Sequence, residues 1–386
     1  MHSILLPLAL ASLGCVNAAP AQRNQNKALY FLDSDPAGAS IVALSVGADG
    51  IPRNPIKTST GGMGAIGVNG TGAPNGADPL FSQGAVQVYG NMIFTVNAGS
   101  NTVSMFNINE NDPQHPVLVG SPAATGGDFP MSLDYSPRLN KACVLSGGVK
   151  AGVTCFHVDA RRGLQPLAPI RTLDSSLIRE TSPVNGPGGT TSQLLFNPDS
   201  SAVFVTIKGI PGTRNGTILA YPVDGNGAIA RKPVISQFSD LKLPFGFQFI
   251  SRREMFLSDP SIGAALLTVN NDWTMTETAR VNITTLKAVC WTAASSNTLY
   301  AIDAGTDNLY TFDTSLKSTG SITLSEPAPG KGLFDAVIAD GMMYALGGAA
   351  GIAVIDTQAR VQKQFVDLSA VAPRNHITGL AWWQCS

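Results

Sequence analysis

The sequence predicts an all-β fold, a seven-bladed β-propeller whose ring closes when the C-terminal strand pairs with the N-terminal blade. Helical periodicity is almost absent, and β-branched or alternating runs of about four to seven residues recur between Gly, Pro, Asn and Asp. The runs group into similar units at intervals of about 44 to 64 residues, which suits four-stranded blades with variable loops. The first unit lacks a strand and the chain ends with a spare one, so a closed ring accounts for every run.

Each unit begins with an apolar strand, turns into a second strand, and passes through a loop rich in Gly, Asp or Asn into a third. The spare strand, residues 376–383, can fill the gap in the first unit. A two-domain β-sandwich is the alternative, but it leaves the regular spacing unexplained. The units cover residues 28–44, 84–108, 131–158, 192–223, 245–269, 287–312 and 334–355.

The composition separates this chain from several classes of protein. Of its 386 residues, 44% are hydrophobic and only 13% are charged, whereas an average soluble protein has about 25% charged residues. These values exclude a charged disordered tail, a coiled coil and a helical bundle covered with ion pairs. The formal net charge of -1 provides no basic surface for nucleic acid. We therefore predict one propeller domain over residues 19–386 and no nucleic-acid partner.

The first 18 residues read as a secretory signal peptide. An apolar run at residues 4–16 is followed by small residues, with cleavage expected after Ala18. A membrane anchor is the alternative, but the run is shorter than the ~20 residues that a spanning helix needs. No later segment is apolar over a comparable length. The prediction is a secreted protein without a membrane span.

Two further features fit the secretory pathway. Sequons occur at Asn69, Asn215 and Asn282, in polar or turn-like surroundings, and predict glycosylation. Removal of the signal peptide leaves four of the five cysteines, an even number as expected in an oxidising compartment.

The cysteine spacing predicts one disulfide directly. Cys143 and Cys155 are symmetric about Val149 in a turn-rich segment, so a hairpin would place them opposite each other. Cys290 would pair with Cys385 by elimination. The alternative for this second pair is two buried free thiols.

Candidate functional residues cluster where the first strands of the predicted blades begin, because propeller sites usually lie at one mouth of the central channel. Four candidates carry a charge or a titratable ring and are predicted to be catalytic: Lys287, Asp335, Arg374 and His376. A second set, mainly apolar, is predicted to bind a hydrophobic small molecule: Gln83, Met131, Ser192, Phe245, Phe247 and Phe334. The alternative is that these side chains simply fill the channel.

The sequence lacks the motifs of serine hydrolases and of common metal sites. The sequence has no Gly-x-Ser-x-Gly elbow, no His-Glu-x-x-His and no paired Cys-x-x-Cys. The glycine-rich stretch 61–67 lacks the strand and helix that a dinucleotide site requires, so we interpret it as a loop between blades. No metal and no cofactor is predicted.

Three short segments carry a resemblance to a known family. Residues 133–138 and 195–200 occupy first-strand turns, and residues 97–106 occupy a loop between second and third strands. With these segments the chain resembles the lactonase-type seven-bladed propellers, which include bacterial phosphogluconolactonases and fungal carboxymuconate cyclases. The resemblance covers most of the chain after the signal peptide and implies the propeller fold.

The chain departs from that family at the channel mouth. The relatives commonly carry histidines at several first-strand positions, where this chain has Met131, Ser192 and Phe245. A secreted lactonase-like propeller without those histidines also resembles the fungal hetero-Diels–Alderases of tropolonic sesquiterpenoid biosynthesis. That resemblance implies a cofactor-independent cycloaddition, which depends on proximity and orientation. The alternatives are a non-catalytic cell-wall antigen or adhesin, and a lactonase or muconate-type cycloisomerase.

Overall fold

Seven antiparallel β-sheets are arranged as the blades of a propeller in the computed structural model, which describes residues 26–325 and 331–385. The predicted signal peptide lies outside the described residues. Apart from one 3-10 turn at Arg374–His376, the regular elements of the described ranges are strands. No helix within those ranges has the length and apolar character that crossing a membrane requires.

The first three blades have four main strands each, and blades 2 and 3 carry one additional short strand. Blade 1 contains β1 (Lys27–Asp33), β2 (Ser40–Val46) and β3 (Pro52–Ser59). Blade 2 contains β4 (Val86–Tyr89), β5 (Met92–Asn97), β6 (Thr102–Asn109), β7 (Asp112–Leu118) and the short β8 (Ala123–Ala124). Blade 3 contains β9 (Asp128–Ser136), β10 (Lys141–Gly147), β11 (Gly152–Asp159), β12 (Gly163–Pro166) and the short β13 (Arg171–Thr172).

The remaining blades have four strands each, and the last strand of the chain completes blade 1. Blade 4 contains β14 (Thr191–Phe196), β15 (Ala202–Ile207), β16 (Thr217–Pro222) and β17 (Val234–Gln237). Blade 5 contains β18 (Phe247–Phe249), β19 (Glu254–Asp259), β20 (Gly263–Val269) and β21 (Met275–Asn282). Blade 6 contains β22 (Val289–Ala294), β23 (Leu299–Asp303), β24 (Asn308–Phe312) and β25 (Ser318–Thr323). Blade 7 contains β26 (Leu333–Ala339), β27 (Met342–Gly347), β28 (Gly351–Asp356) and β29 (Val361–Asp367), and is followed by β30 (Ile377–Gln384).

The ring closes as the sequence predicts. β30 pairs antiparallel with β1, from Lys27 opposite Gln384 to Asp33 opposite Ile377. The N-terminal strand therefore has a partner on each side, which removes an exposed sheet edge at the seam. Because the two ends of the chain share one sheet, blade 1 cannot complete itself without the C-terminal strand.

The apolar composition follows from the packing of the blades. The inner strands are buried on both faces between neighbouring blades, so β15 is buried at every residue. The outermost strands face solvent and carry most of their residues exposed or half-buried, as in β25 and β29. A protein built this way has much core and little surface available for charge.

The predicted disulfide between Cys143 and Cys155 is confirmed. The two residues are directly opposite each other where β10 pairs with β11. No bond joins Cys290 to Cys385 in the described structure, contrary to the pairing predicted by elimination. Cys290 lies near the start of β22, whereas Cys385 follows the end of β30 with its Sγ 3.6 Å from Glu110 Oε2. Both side chains are thiols and are half-buried rather than fully buried.

Replacing both Cys143 and Cys155 with Ser should lower the free energy of unfolding by roughly 3 kcal/mol, because the bond closes a short loop in the unfolded chain. The sequence separation of the two cysteines is 12. Urea unfolding of the oxidised wild type and of the double variant measures the difference. A Cys290→Ser variant serves as control, and a double variant as stable as the wild type would contradict the prediction.

Candidate functional site

The central channel runs between the innermost strands, β4, β9, β14, β18, β22, β26 and β30. We call the face where these strands begin the upper face and the face where they end the lower face. Contacts across the upper end tie the blades together: Gln83 N–H donates to Ser192 O, and Gly246 N–H donates to Cys290 O at 2.9 Å. The two ends of the channel differ in what fills them.

The six residues predicted to bind substrate are all buried. Gln83 exchanges two hydrogen bonds with the Thr292 backbone, at 2.8 and 3.1 Å. The rings of Phe245 and Phe334 each lie 4.8 Å from the Trp291 ring, between centroids. Phe245, Phe334 and Trp291 thus fill the channel at this end, as in the alternative that the sequence left open, whereas Met131 and Phe247 belong to other parts of the core. All six are at most 6% exposed: Gln83, Met131, Ser192, Phe245, Phe247 and Phe334.

Two long loops meet above these residues, and together we call them the cap: residues 61–84 and 174–190. Val68 N–H donates to Val184 O at 2.8 Å, and Gly186 N–H returns to Val68 O at 3.1 Å. The Phe81 ring lies between Gly67 and Gly186, where a Cβ on either glycine would be 2.5 or 2.7 Å from a ring carbon. Phe81 itself has a φ of 54°, a strained value for a bulky residue. The glycine-rich stretch of the sequence therefore serves close packing of the cap.

Lys208 fastens the cap to the channel. Its side chain is fully buried, and Nζ donates to Phe81 O at 2.6 Å and to Thr191 O at 2.8 Å. Nζ also lies 4.4 Å from the centroid of the Phe245 ring. One amine thus links a cap residue, the first strand of blade 4 and an aromatic side chain of blade 5.

Two carboxyl groups accompany this buried amine. Burial raises the pKa of Asp78 to about 6 and that of Glu180 to about 7, although the positive charge of Lys208 opposes both shifts. Burial likewise lowers the pKa of Lys208 to about 8, against the attraction of the two acids. Glu180 also accepts the Thr191 N–H at 2.9 Å. The cap therefore closes over a compact group of partly compensated charges.

Arg374 and Asp335 lie near each other below the cap. Arg374 donates Nε to Gly347 O at 2.5 Å and Nη1 to Ile377 O at 2.6 Å, and its guanidinium is 4.4 Å from the Phe334 ring centroid. Burial lowers the pKa of Arg374 to about 10, opposed by the charges of Asp78 and Asp335. The two hydrogen bonds to backbone carbonyl groups fix the Arg374 side chain in place. Its positive charge therefore has a structural role next to Asp335.

The other two predicted catalytic residues lie elsewhere. Lys287 is exposed, and its backbone N–H donates to Asp303 Oδ2 at 3.0 Å. His376 Nδ1 lies 3.3 Å from Asp33 Oδ1, and Asp33 also pairs with Lys57 at 2.6 Å. The structure thus brings Asp335 and Arg374 together, whereas Lys287 contacts Asp303 and His376 contacts Asp33.

A cavity of about 390 Å³ occupies the lower half of the channel. Asp335 and Gln83 are the two predicted residues that line it. Its walls come from the innermost strands, including Val86, Leu195 and Val337, and its lining extends outward to Tyr89 and Trp382. An open space of this size can enclose a small organic ligand.

Amide side chains give this cavity its hydrogen-bonding character. Gln193 lines the cavity, and its Oε1 accepts the Phe247 N–H at 2.6 Å. Within the described residues, the side chains of Gln87 and Gln248 make no hydrogen bond to the protein, and both line the cavity. Amide NH2 groups can donate to a ligand carbonyl and amide oxygens can accept from a hydroxyl.

These three glutamines are not among the residues predicted from the sequence. Each interrupts an apolar first strand, in the segments VQVY, SQLLF and FQF. A glutamine within the apolar first strand of three units is a signal that could have identified them, because alternate residues of the first strands face the same channel.

Asp335 is the titratable group at the inner end of the cavity. Its Oδ2 accepts the Gly379 N–H at 3.0 Å. Burial, together with the nearby charge of Asp78, raises its pKa to about 7, although the amides of Gly379 and Gly84 and the charge of Arg374 oppose this. A carboxyl group with a pKa near neutrality can accept and return a proton during a reaction.

A second carboxyl group, Asp134, lies on the cavity wall. Its oxygens accept the Tyr89 hydroxyl at 2.6 Å and the N–H groups of Tyr135 and Phe196, both at 2.8 Å. Burial raises its pKa to about 6 against these three donors. With its oxygens occupied, Asp134 holds the wall in place and contributes negative charge. In the described part of the chain, no three His, Cys, Asp or Glu side chains are grouped so as to hold a metal ion.

The three sequons have different surroundings. Asn282 and Thr284 are exposed at the end of β21, and Asn69 lies in a turn with Thr71 exposed. Asn215 Nδ2 donates to Phe238 O at 2.9 Å, and Thr217 is fully buried. A glycan on Asn215 would have to replace that bond, so the geometry favours the other two sequons; glycosylation stays a prediction.

Comparisons with known proteins agree on the fold. The structure resembles the periplasmic gluconolactonase of Pseudomonas aeruginosa, with a TM-score of 0.64, 13% identity, and coverage of 92% of this chain and 99% of that one. It also resembles a putative 6-phosphogluconolactonase from Bacteroides uniformis, with a TM-score of 0.62, 12% identity, and coverage of 94% of this chain and 100% of that one. A putative 6-phosphogluconolactonase from Bacteroides fragilis has a TM-score of 0.59, 13% identity, and coverage of 95% of this chain and 100% of its own. No protein-family model and no curated sequence matches the chain. The chain thus shares the seven-bladed fold of lactonase-like propellers, and identities this low establish the fold alone.

Proposed function

We propose that this protein is a cofactor-independent enzyme that opens a lactone in the lower cavity, with Asp335 as the general base. The observation that carries the proposal is the position of Asp335: a carboxyl group with a pKa of about 7 at the inner end of a 390 Å³ cavity lined by amides. A group of this kind is what hydrolysis near neutral pH requires.

The residues suggest a sequence of proton movements. The Asp335 carboxylate takes a proton from a water molecule, whose oxygen attacks the lactone carbonyl carbon. The NH2 groups of Gln87, Gln193 and Gln248 are available to stabilise the oxyanion that develops. When the ring C–O bond breaks, the protonated Asp335 returns the proton to the leaving alkoxide, so the hydroxy acid forms and the enzyme is restored.

The solved structures support a lactone as the substrate class. The Pseudomonas aeruginosa protein is described as a gluconolactonase and the two Bacteroides proteins as putative 6-phosphogluconolactonases. Because they share only the fold with this chain, their activity supports the proposal through analogy and leaves the substrate to experiment.

The test is direct measurement of lactone hydrolysis by the purified protein. A set of five- and six-membered lactones, with and without hydroxyl groups, is followed by base consumption at constant pH. We expect turnover above the spontaneous rate for at least one lactone. A protein that is folded by circular dichroism and hydrolyses none of them would contradict the proposal.

A second candidate function is a cycloaddition, as the resemblance to hetero-Diels–Alderases implies. The glutamine amides favour it, because they can orient a carbonyl and lower a barrier without transferring a proton. The experiment is incubation with a heterodiene and an alkene, comparing product stereochemistry with the uncatalysed mixture. Retention of product control in an Asp335→Asn variant would support cycloaddition, since that reaction needs no base at this position.

We also propose that the protein enters the secretory pathway. The support is the disulfide between Cys143 and Cys155, which is typical of oxidising compartments, and the exposed sequon at Asn282.

A further inference from the structure

The charged side chains that line the lower cavity are all acidic. Asp134 and Asp335 line it, and among the described residues that line it none is Lys, Arg or His. Arg374 and Asp78 also act on Asp335, with charges of opposite sign, but neither lines the cavity. A ligand that carries a negative charge would meet like charge without a compensating cation.

Two buried cations near the channel are already engaged elsewhere. Arg374 donates to Gly347 O and Ile377 O and is not part of the cavity lining. Lys208 donates to Phe81 O and Thr191 O beneath the cap. Neither can turn toward an anion in the cavity without giving up hydrogen bonds made in a buried place.

The uncharged part of the lining suits a neutral ring. Gln87, Gln193 and Gln248 provide donors and acceptors from three blades, while Val86 and Leu195 provide apolar contact. We infer that the lower cavity selects an uncharged lactone or lactone-like ring and rejects phosphorylated or carboxylated ligands. This inference rests on the proposed function for the identity of the ring, but the selection by charge is a property of the cavity itself.

The same charges bear on product release. Opening a neutral lactone creates a hydroxy acid whose carboxyl group loses its proton to water near neutral pH, and the proton returned to the ring oxygen leaves the Asp335 carboxylate ionised again. Two like charges then face the product, so the product should bind more weakly than the substrate. An arrangement that repels its product limits inhibition as the product accumulates.

The experiment measures binding rather than turnover. The probes are unreactive lactams, δ-valerolactam and D-gluconolactam, and gluconolactam 6-phosphate as the charged partner of the second. Affinities come from calorimetry at pH 8, where the two carboxyl groups carry their charge. We expect the wild type to bind gluconolactam roughly 10- to 100-fold more tightly than its phosphate.

A pair of variants tests the electrostatic cause. Gln87 is half-buried on the cavity wall, so Gln87→Lys adds a cation there and Gln87→Met is its neutral control of similar length. We expect Gln87→Lys to reduce the preference for the neutral lactam about tenfold, with little change of the preference in Gln87→Met. Equal or tighter binding of the phosphate by the wild type would overturn the inference, as would an unchanged preference in Gln87→Lys or a wild type that binds neither lactam. Selective binding of the neutral lactams without lactone turnover would uphold it while contradicting the proposed hydrolysis.

Discussion

Replacing Asp335 with Asn should reduce lactone turnover by about 10²- to 10⁴-fold, the usual contribution of a general base. The amide keeps the shape of the side chain but cannot take a proton from water. Because the rest of the cavity is unchanged, binding of an unreactive lactam should persist, and kcat should fall far more than KM rises.

Asp259→Asn is the matched control. Asp259 is another fully buried aspartate whose oxygens accept backbone N–H groups, from Leu243 and Ser261, both at 2.8 Å. It is not part of the cavity lining, so this variant should keep its turnover as long as it folds. Equal losses in the two variants would show that the effect of Asp335→Asn is structural and would remove Asp335 from the mechanism.

The pH dependence follows from the pKa of Asp335. The base form is the ionised one, so wild-type activity should rise with pH and reach half its maximum near pH 7. The free energy of unfolding has the opposite dependence on pH. The folded protein holds this proton more tightly than the unfolded chain, in which the pKa of an aspartate is about 3.9, so ionisation of Asp335 reduces stability as the pH rises through roughly 4 to 7. Asp335→Asn should flatten this part of the stability profile.

Replacing Lys208 with Met should lower the free energy of unfolding by about 3–5 kcal/mol, the cost typical of removing one partner from a buried group of charges. The methionine leaves the carbonyls of Phe81 and Thr191 without their donor and leaves Asp78 and Glu180 buried without their cation. The cap should lose its attachment first, which protease digestion within residues 61–84 would detect. Chemical unfolding measures the overall loss.

Two further variants identify the cause of that loss. Lys232→Met removes an exposed lysine from the same blade and should change the stability by less than about 0.5 kcal/mol. The triple variant Asp78→Asn, Glu180→Gln, Lys208→Met removes the opposing charges together and should be more stable than Lys208→Met alone. A Lys208→Met protein within about 1 kcal/mol of the wild type, or a triple variant that is less stable still, would contradict the role given to Lys208.

Features that depend on local spacing could be predicted from the sequence. The strand period, the number of blades and the closure by residues 376–383 follow from apolar runs between turn residues, and the structure has them. The Cys143–Cys155 bond belongs to the same class, because the two residues flank one hairpin. The predicted pairing of Cys290 with Cys385 depended only on the number of remaining cysteines. Cys290 lies near the start of β22 and Cys385 follows the end of β30, so the two are on opposite faces of the ring.

The position of the open cavity depended on tertiary structure. The pocket predicted from the sequence surrounds Met131, Ser192 and Phe245, but these residues are buried beneath the cap. The cap is built from two loops about 110 residues apart in the chain, and loops without a periodic pattern give no sign of where they will pack.

By itself, the sequence determined a closed all-β ring with little charge, because blade strands encode their burial in a short repeating pattern. Only the tertiary structure decided which end of the channel is filled and which carboxyl group has a pKa near 7. The physical reason is that burial and electrostatic surroundings are set by residues distant in the chain. Asp335 owes its pKa to the packing of blade 7 against Gly379, Gly84, Asp78 and Arg374, which come from two other parts of the sequence.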